Sequence, residues 1–312
     1  MSDAFNVPIL LIVFKRVETT RAVLNEIRKL KPKQLFVASD GPRDEVVGEA
    51  DKVNMVRELF KEIDWDCELK TLFREKNGVH NVSISSAITW FFEQVPEGII
   101  LEDDCLPHLS FFRYCEELLQ KYRDDERIML ISGANFQQGI KRGTESYYFS
   151  QISSTWGYAT WRRSWKHYDI KMTSFPQFKE QNQIKNIFDD KKIQKYWLNI
   201  FGKVYDGRVL AYDYPWVYAV WANGGLSICP NVNLISNIGF GNGGLSSDDE
   251  NDKFANLVTN DIGEISHPRF MIRNKEAEEF YMNQYLLTPF LKKVKNKLKA
   301  ISKRYFSLFF GS

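Results

Sequence analysis

Gly98-Ile99-Ile100-Leu101-Glu102-Asp103-Asp104 is a short apolar run that ends in three consecutive carboxylates. The run has strand length, and fully apolar strands separated by amphipathic helices belong in a parallel sheet covered on both faces. In such sheets ligands bind beyond the carboxyl ends of the strands, which is where the triplet falls. Successive strand residues point to opposite faces, so a triplet at a strand end reaches in two directions. Its hard oxygens suit Mg²⁺ or Mn²⁺, usually held by one or two carboxylates together with substrate phosphates. The competing reading is an acidic turn favouring the start of the next helix. The apolar strand before it, and Leu106-Pro107 and an aromatic helix after it, tip the balance toward a ligand site.

Toward the N-terminus the alternation of strand and helix repeats. Residues 8–14 read as a first strand, and Ala22, Val23, Ile27 and Leu30 mark the helix after it. Gln34–Ser39 is a second strand, broken at Asp40-Gly41-Pro42, and Val53, Val56, Leu59, Phe60 and Ile63 mark a second helix. A third strand covers about 67–73 and a third helix about 82–94. The polar residues after the strands are Lys15-Arg16, Asp40-Gly41, Arg74 through Asn77-Gly78, and the triplet, so four strand ends converge on one crevice. Toward the C-terminus comes a helix carrying Phe111, Phe112, Cys115, Leu118 and Leu119, then a strand over Ile128–Ser132. From about residue 145 the chain turns to short strands, aromatic loops, a polar helical stretch over 176–204 and a Gly/Asn-rich loop over 239–247. One mixed α/β domain with an irregular second half fits this texture better than two independent domains.

The composition narrows the function classes. Apolar residues at 44% and charged residues at 26% are the balance of a globular chain, and 312 residues suffice for a sizeable core. A formal net charge of +2 argues against a dedicated nucleic-acid binder. Four scattered cysteines without metal-ligand spacing read as reduced thiols, and no apolar stretch reaches spanning length; the expected location is cytoplasmic. Near the C-terminus Leu291, Val294, Leu298, Ile301, Tyr305 and Leu308 recur at helical spacing among seven Lys or Arg residues. That pattern is either a basic amphipathic helix over 291–310 lying on an anionic membrane surface, at the inner face of the cell membrane, or a helix packed on the domain with a solvated basic face.

The apolar strand ending in Glu102-Asp103-Asp104, followed by a helix that opens near Phe111-Phe112, resembles the metal-binding motif of GT-A fold glycosyltransferases. The nearest pattern is that of the N-acetylglucosaminyltransferase I-like group and its bacterial relatives, and the likeness covers about residues 8–270. It implies that Asp104 is the metal ligand and that Glu102 and Asp103 contact donor sugar and ribose. Arg16, ending the first strand, would reach the nucleotide phosphates, and Asp40 would hydrogen-bond the base; on its own Asp40-Gly41 reads as a turn. Asn77, Gly78 and Asn81 would lie near base or ribose; His80 competes with Asn81, and Asn81 could instead cap the third helix. Trp156 and Gly157, in Ser154-Thr155-Trp156-Gly157-Tyr158-Ala159-Thr160-Trp161-Arg162, resemble the stretch lining donor sugar and acceptor, unless they form a core strand with packed Trp. Asp213 resembles the catalytic carboxylate that deprotonates the acceptor hydroxyl; the bland alternative is a helix cap. Asn237, Gly239 and Ser246 would belong to a lid over the donor, and His267 fits a structural turn better than a donor contact.

The resemblance implies a GT-A (nucleotide-diphospho-sugar transferase) α/β fold over 1–280. Residues 1–107 form the nucleotide-binding half, 108–280 the acceptor half, and 281–312 a basic C-terminal helix. The implied activity is a metal-dependent, inverting hexosyl- or N-acetylhexosaminyltransferase of surface polysaccharide or glycolipid synthesis, using Mn²⁺ or Mg²⁺. Its partners would be a nucleoside-diphosphate sugar donor and a glycan or lipid-linked glycan acceptor. A sugar-phosphate nucleotidyltransferase is the alternative, but 14–18 contains no glycine where that class carries a Gly-rich loop. A non-catalytic glycan-binding protein would account for the aromatics, not for the carboxylates.

Overall fold

The computed structural model describes residues 5–241 and 252–287; Ser246 and the segment 291–310 lie outside the described residues. The first half alternates regularly: β1 (Ile9–Val13), α1 (Val17–Leu30), β2 (Gln34–Ser39), α2 (Glu49–Glu58), β3 (Glu68–Phe73), α3 (His80–Gln94) and β4 (Glu97–Glu102). Then follow β5 (Cys105–Pro107), α4 (Leu109–Lys121), β6 (Ile128–Ser132), β7 (Tyr147–Ser150), β8 (Tyr158–Trp161) and α5 (Arg162–Trp165). The remaining elements are α6 (Phe175–Glu180), α7 (Lys191–Tyr205), α8 (Asp213–Ala222), β9 (Leu226–Pro230), β10 (Ile235–Asn237) and α9 (Lys275–Tyr281).

Eight strands form one sheet in the order β3-β2-β1-β4-β8-β6-β9-β7. The β1–β2, β2–β3, β1–β4 and β6–β9 pairs are parallel; only β8 and β7 run against their neighbours. The sheet therefore takes strands from both halves of the sequence. It is the mostly parallel, helix-flanked α/β sheet that the strand-end reading expects, in a Rossmann-like layout consistent with the GT-A fold.

Strand alternation divides the core into two layers. Leu10, Phe36, Ala38 and Ile100 pack on one face against α3, α7 and α8. Ile9, Leu11, Leu35, Val37, Ile99 and Leu101 pack on the other against α1, α2 and α4. Each fully buried aliphatic side chain contributes about 1.5–3 kcal/mol, so a one-residue slip, which would exchange the faces, is strongly disfavoured. The starts of α4 and α7 are fixed locally: His108 Nδ1 accepts from Ser110 N–H at 3.2 Å, and Asp190 from Lys192 N–H at 2.6 Å.

Two features depart from the sequence reading. The helical stretch expected over 176–204 is broken into α6, a 3₁₀ turn over Gln183–Asn186, and α7. Asn182 turns the chain in a left-handed conformation (φ 51°), and Asp190 starts a new helix. The second is β5, which pairs antiparallel with β10, Cys105 opposite Asn237. Three residues carry no readable periodicity, and only the distant partner makes them a strand. This pairing lays 235–239 beside the acidic triplet, where Ile238 N–H donates to Asp104 O at 2.9 Å.

Candidate active site

A cavity of about 320 Å³ opens at the carboxyl ends of β1, β2 and β4. Its lining includes Arg16, Asp40, Asn77, Gly78, Glu102, Asp103 and Asp104, which are seven of the site residues expected from sequence. His80 also lines it, while Asn81 does not and is buried. Nor does Asn81 cap α3: the N-cap is Val79, and Asn81 is the second residue of the helix.

Strand alternation splits the triplet. Glu102 continues the Leu10/Ile100 face toward α8, where it accepts a hydrogen bond from Tyr212 Oη at 2.9 Å. Desolvation, reinforced by the charge of Asp104, pushes the Glu102 carboxyl up to about 8, against the opposing pull of the Tyr212 hydroxyl. Asp103, on the opposite face, accepts from Phe14 N–H at 3.4 Å and from the Arg16 guanidinium; burial pushes its pKa up while Arg16 pulls it down. Arg16 Nη2 also pairs with Asp104 Oδ2 at 2.9 Å. Arg16 ends the β1–α1 connection in extended backbone, and its carbonyl accepts from Thr20 N–H and Thr20 Oγ1, at 3.1 and 2.6 Å. The first turn of α1 thus fixes the backbone from which the guanidinium reaches the carboxylates.

Gly239 presses on this pair. A Cβ there would overlap Asp104 Oδ2 and stand 2.7 Å from Arg16 Nη1, so a larger residue would require these side chains to shift. Asn237 Oδ1 holds the same segment by accepting from Gly239 N–H at 2.9 Å.

At the end of β2, Asp40 organises the far wall. Its carboxylate accepts from Gly41 N–H at 3.0 Å, from Gly78 N–H at 3.2 Å and from Asn77 Nδ2 at 3.3 Å. Arg57 ties the ends of β2 and β3 together by donating to Ser39 Oγ, Asp40 O and Arg74 O. A third group was not anticipated from sequence: Glu49, only 1% exposed, pairs with Lys15 at 2.7 Å and with Arg43. Hydrogen bonds from Arg43, and then from Lys15, hold its carboxyl well below the usual range. Lys15 and Arg43 flank the Phe14 ring at 5.5 and 6.0 Å, and all three side chains line the cavity. Nothing local in 43–49 marks Glu49; it becomes significant only because the loop folds back over β1.

The remaining expected residues lie beyond the cavity lining. Trp156 packs edge-on against Phe136, Phe240 and Phe254 at 5.5–5.9 Å. Gly157 (φ 58°) lets the chain pass close to Ile235, and its carbonyl accepts from Gly133 N–H. Asp213 is the first residue of α8, after Tyr212 at the N-cap, and burial pushes its carboxyl upward. One hydrogen bond, Tyr212 to Glu102, connects its helix to the triplet. His267 pairs with Tyr147 Oη at 3.0 Å and Glu117 at 3.2 Å, as a structural turn would.

Among the described residues no three His, Cys, Asp or Glu side chains are grouped to hold a metal. The donor set nevertheless fits a hard cation that takes most of its ligands from phosphate and water: Asp104 is a carboxylate on the cavity wall, and the acidic pair already accommodates one cationic group, Arg16. No helix among the described residues is long and apolar enough to cross a membrane.

The sequence matches no protein-family model and no curated protein. Solved structures to which the chain is similar include S. aureus TarS 1–349, at 13% identity and a TM-score of 0.35 over 52% of this chain. The match spans 49% of that TarS chain, about half its length. A cytidylyltransferase from Leptospira borgpetersenii serovar Hardjo-bovis matches at 12% identity and TM-score 0.33, over 51% of this chain and 62% of that one. CMP:2-keto-3-deoxy-manno-octonic acid synthetase complexed with CTP matches at 14% identity and TM-score 0.32, over 58% and 85%. These likenesses single out no particular group of enzymes, and the functional reading rests on the cavity.

Proposed function

We propose that the protein is a glycosyltransferase using a nucleoside-diphosphate sugar. The observation that supports this reading is the convergence of Arg16, Asp103 and Asp104 in one strand-end cavity with Asp40, Asn77 and Gly78 on the opposite wall. That arrangement offers a cation for a diphosphate, hard oxygens for a divalent ion, and polar groups for a base or ribose. Only three residues, 14–16, connect β1 to α1, too short a stretch for a Gly-rich cradle around a triphosphate; this favours sugar transfer over nucleotidyl transfer.

In this reading Asp104 would hold Mn²⁺ or Mg²⁺, which when bound would supply positive charge against the departing diphosphate. Arg16 binds the same phosphates, Asp103 and Glu102 orient ribose and sugar, and Asp40 with the 77–78 turn frames the base. Asp213 takes the proton of the acceptor hydroxyl, and its upward-shifted carboxyl is the better base once ionised. The acceptor class is a glycan or a lipid-linked glycan. The test is a hydrolysis screen over common nucleotide sugars, run beside pyrophosphate release from nucleoside triphosphates plus sugar phosphates. Metal-dependent hydrolysis of one nucleotide sugar supports the reading; pyrophosphate release alone replaces it with nucleotidyl transfer.

A further inference from the structure

We propose that Arg16 is the resident cation of the acidic pair in the donor-free protein, and that a divalent ion gains access to Asp104 only when a nucleoside diphosphate draws the guanidinium away. The inference rests on the functional reading above and adds an order and a coupling to it.

The geometry carries it. One guanidinium nitrogen, Arg16 Nη2, pairs with both Asp103 Oδ1 and Asp104 Oδ2. The three side chains are 20%, 5% and 14% exposed, so the charges are poorly screened. The other oxygen of Asp103 faces Phe14 N–H. On the remaining side Gly239 closes in, its α-carbon so near that a methyl group would meet Asp104 Oδ2 and Arg16 Nη1. A metal ion at Asp104 would thus compete with the guanidinium for that carboxylate, and two cations a few ångströms apart in a half-buried site repel strongly.

A diphosphate relieves that conflict. It offers the planar guanidinium a bidentate oxygen partner, and its own charge balances both cations. Arg16 stands at the N-cap of α1 on the cavity wall, so it exchanges carboxylate for phosphate by rotating its side chain within the cavity it already lines. Metal and nucleotide then bind with positive coupling, and by linkage each strengthens the other equally. Arg16 thereby keeps the acidic pair neutralised while the site waits for donor, and it discriminates against metal without nucleotide.

The experiment is Mn²⁺ binding, followed by electron paramagnetic resonance of the free ion, to the full chain alone and with UDP, GDP, CDP, ADP or dTDP, after allowing for metal held by nucleotide in solution. In the wild-type protein the expected result is weak Mn²⁺ binding alone and about 10-fold or more tighter binding with the cognate nucleotide, within the usual range of coupling between sites. Arg16→Gln should bind Mn²⁺ alone about 10-fold more tightly than wild type, with the nucleotide effect falling toward unity. Arg16→Lys, which keeps the charge, should retain most of the exclusion. Wild-type protein that binds Mn²⁺ equally well with and without every nucleotide overturns the proposal, and this arm needs no variant to fold. So does an Arg16→Gln protein of native circular dichroism whose affinity for Mn²⁺ alone is unchanged. Mn²⁺ bound by neither protein under any condition overturns the metal assignment at Asp104 itself, a failure distinct from loss of coupling.

Discussion

Around the ends of β1, β2 and β4, side-chain positions are set by charge: Arg16 between two aspartates, Glu49 between Lys15 and Arg43, Asp40 on the backbone of 77–78. Around α8 they are set by ring packing. Trp216 lies fully buried against the stacked pair of Trp165, at 5.1 Å, and Tyr168, at 6.4 Å, and Trp221 meets Trp197 edge-on at 4.6 Å. The first region is a set of ion pairs and polar contacts lining an open cavity. The second is a close-packed block of rings on the helix that Asp213 begins, and the Tyr212–Glu102 hydrogen bond joins the two. A charged cluster beside an aromatic block would suit the transfer proposed above, in which one substrate brings its own charge.

The sharpest way to break this comparison is a pair of substitutions. Asp104→Ala should abolish transfer and metal-linked nucleotide binding together, whereas Asp213→Asn should lower transfer about 10²–10⁴-fold and leave nucleotide binding intact. Donor turnover alongside thermal shifts with Mn²⁺ and nucleoside diphosphates measures both; undiminished turnover in either variant removes that residue from the chemistry.

Next in size is Trp216→Ala, expected to cost about 3–5 kcal/mol in urea unfolding by opening a cavity in the aromatic block. Asp104→Ala should change unfolding far less, because its partner Arg16 keeps Asp103. Equal destabilisation by the two would show that the regions are not held differently.

Tyr212→Phe addresses the connection between them. Leaving Glu102 without its hydroxyl partner should cost about 1–3 kcal/mol of stability. An unfolding midpoint indistinguishable from wild type would mean that the bond does not join the regions.

The smallest effect is expected from acid. Glu49 has a folded-state pKa depressed from the ordinary 4.5, so its contribution is present above that value and is lost as pH falls below it. Glu49→Gln should therefore flatten the decline in stability below about pH 4.5. A variant that declines as steeply as wild type would place the acid sensitivity elsewhere.

Much of the first half was legible because its signals are local. Apolar runs of strand length, amphipathic helices and polar residues after each strand need no knowledge of distant partners, and Gln34–Ser39 and Ile128–Ser132 are strands as read. The same logic located Arg16, Asp40, Asn77, Gly78 and the triplet around one cavity. The second half was less legible. Aromatic residues there serve a core: Trp156, read from sequence first as a sugar platform, packs on Phe136 and Phe254.

The sequence by itself determined that β4 runs into three carboxylates at the carboxyl edge of a mostly parallel sheet, since period and composition are properties of a short segment. Only the tertiary structure decided what each carboxylate faces. Glu102 turns to Tyr212, 110 residues away, while Asp103 and Asp104 turn to Arg16 under the cover of Gly239. Glu102 is the last residue of β4 and follows its alternation, whereas Asp103 and Asp104 lie in the turn beyond it, and which residue waits for each depends on how the whole chain closes.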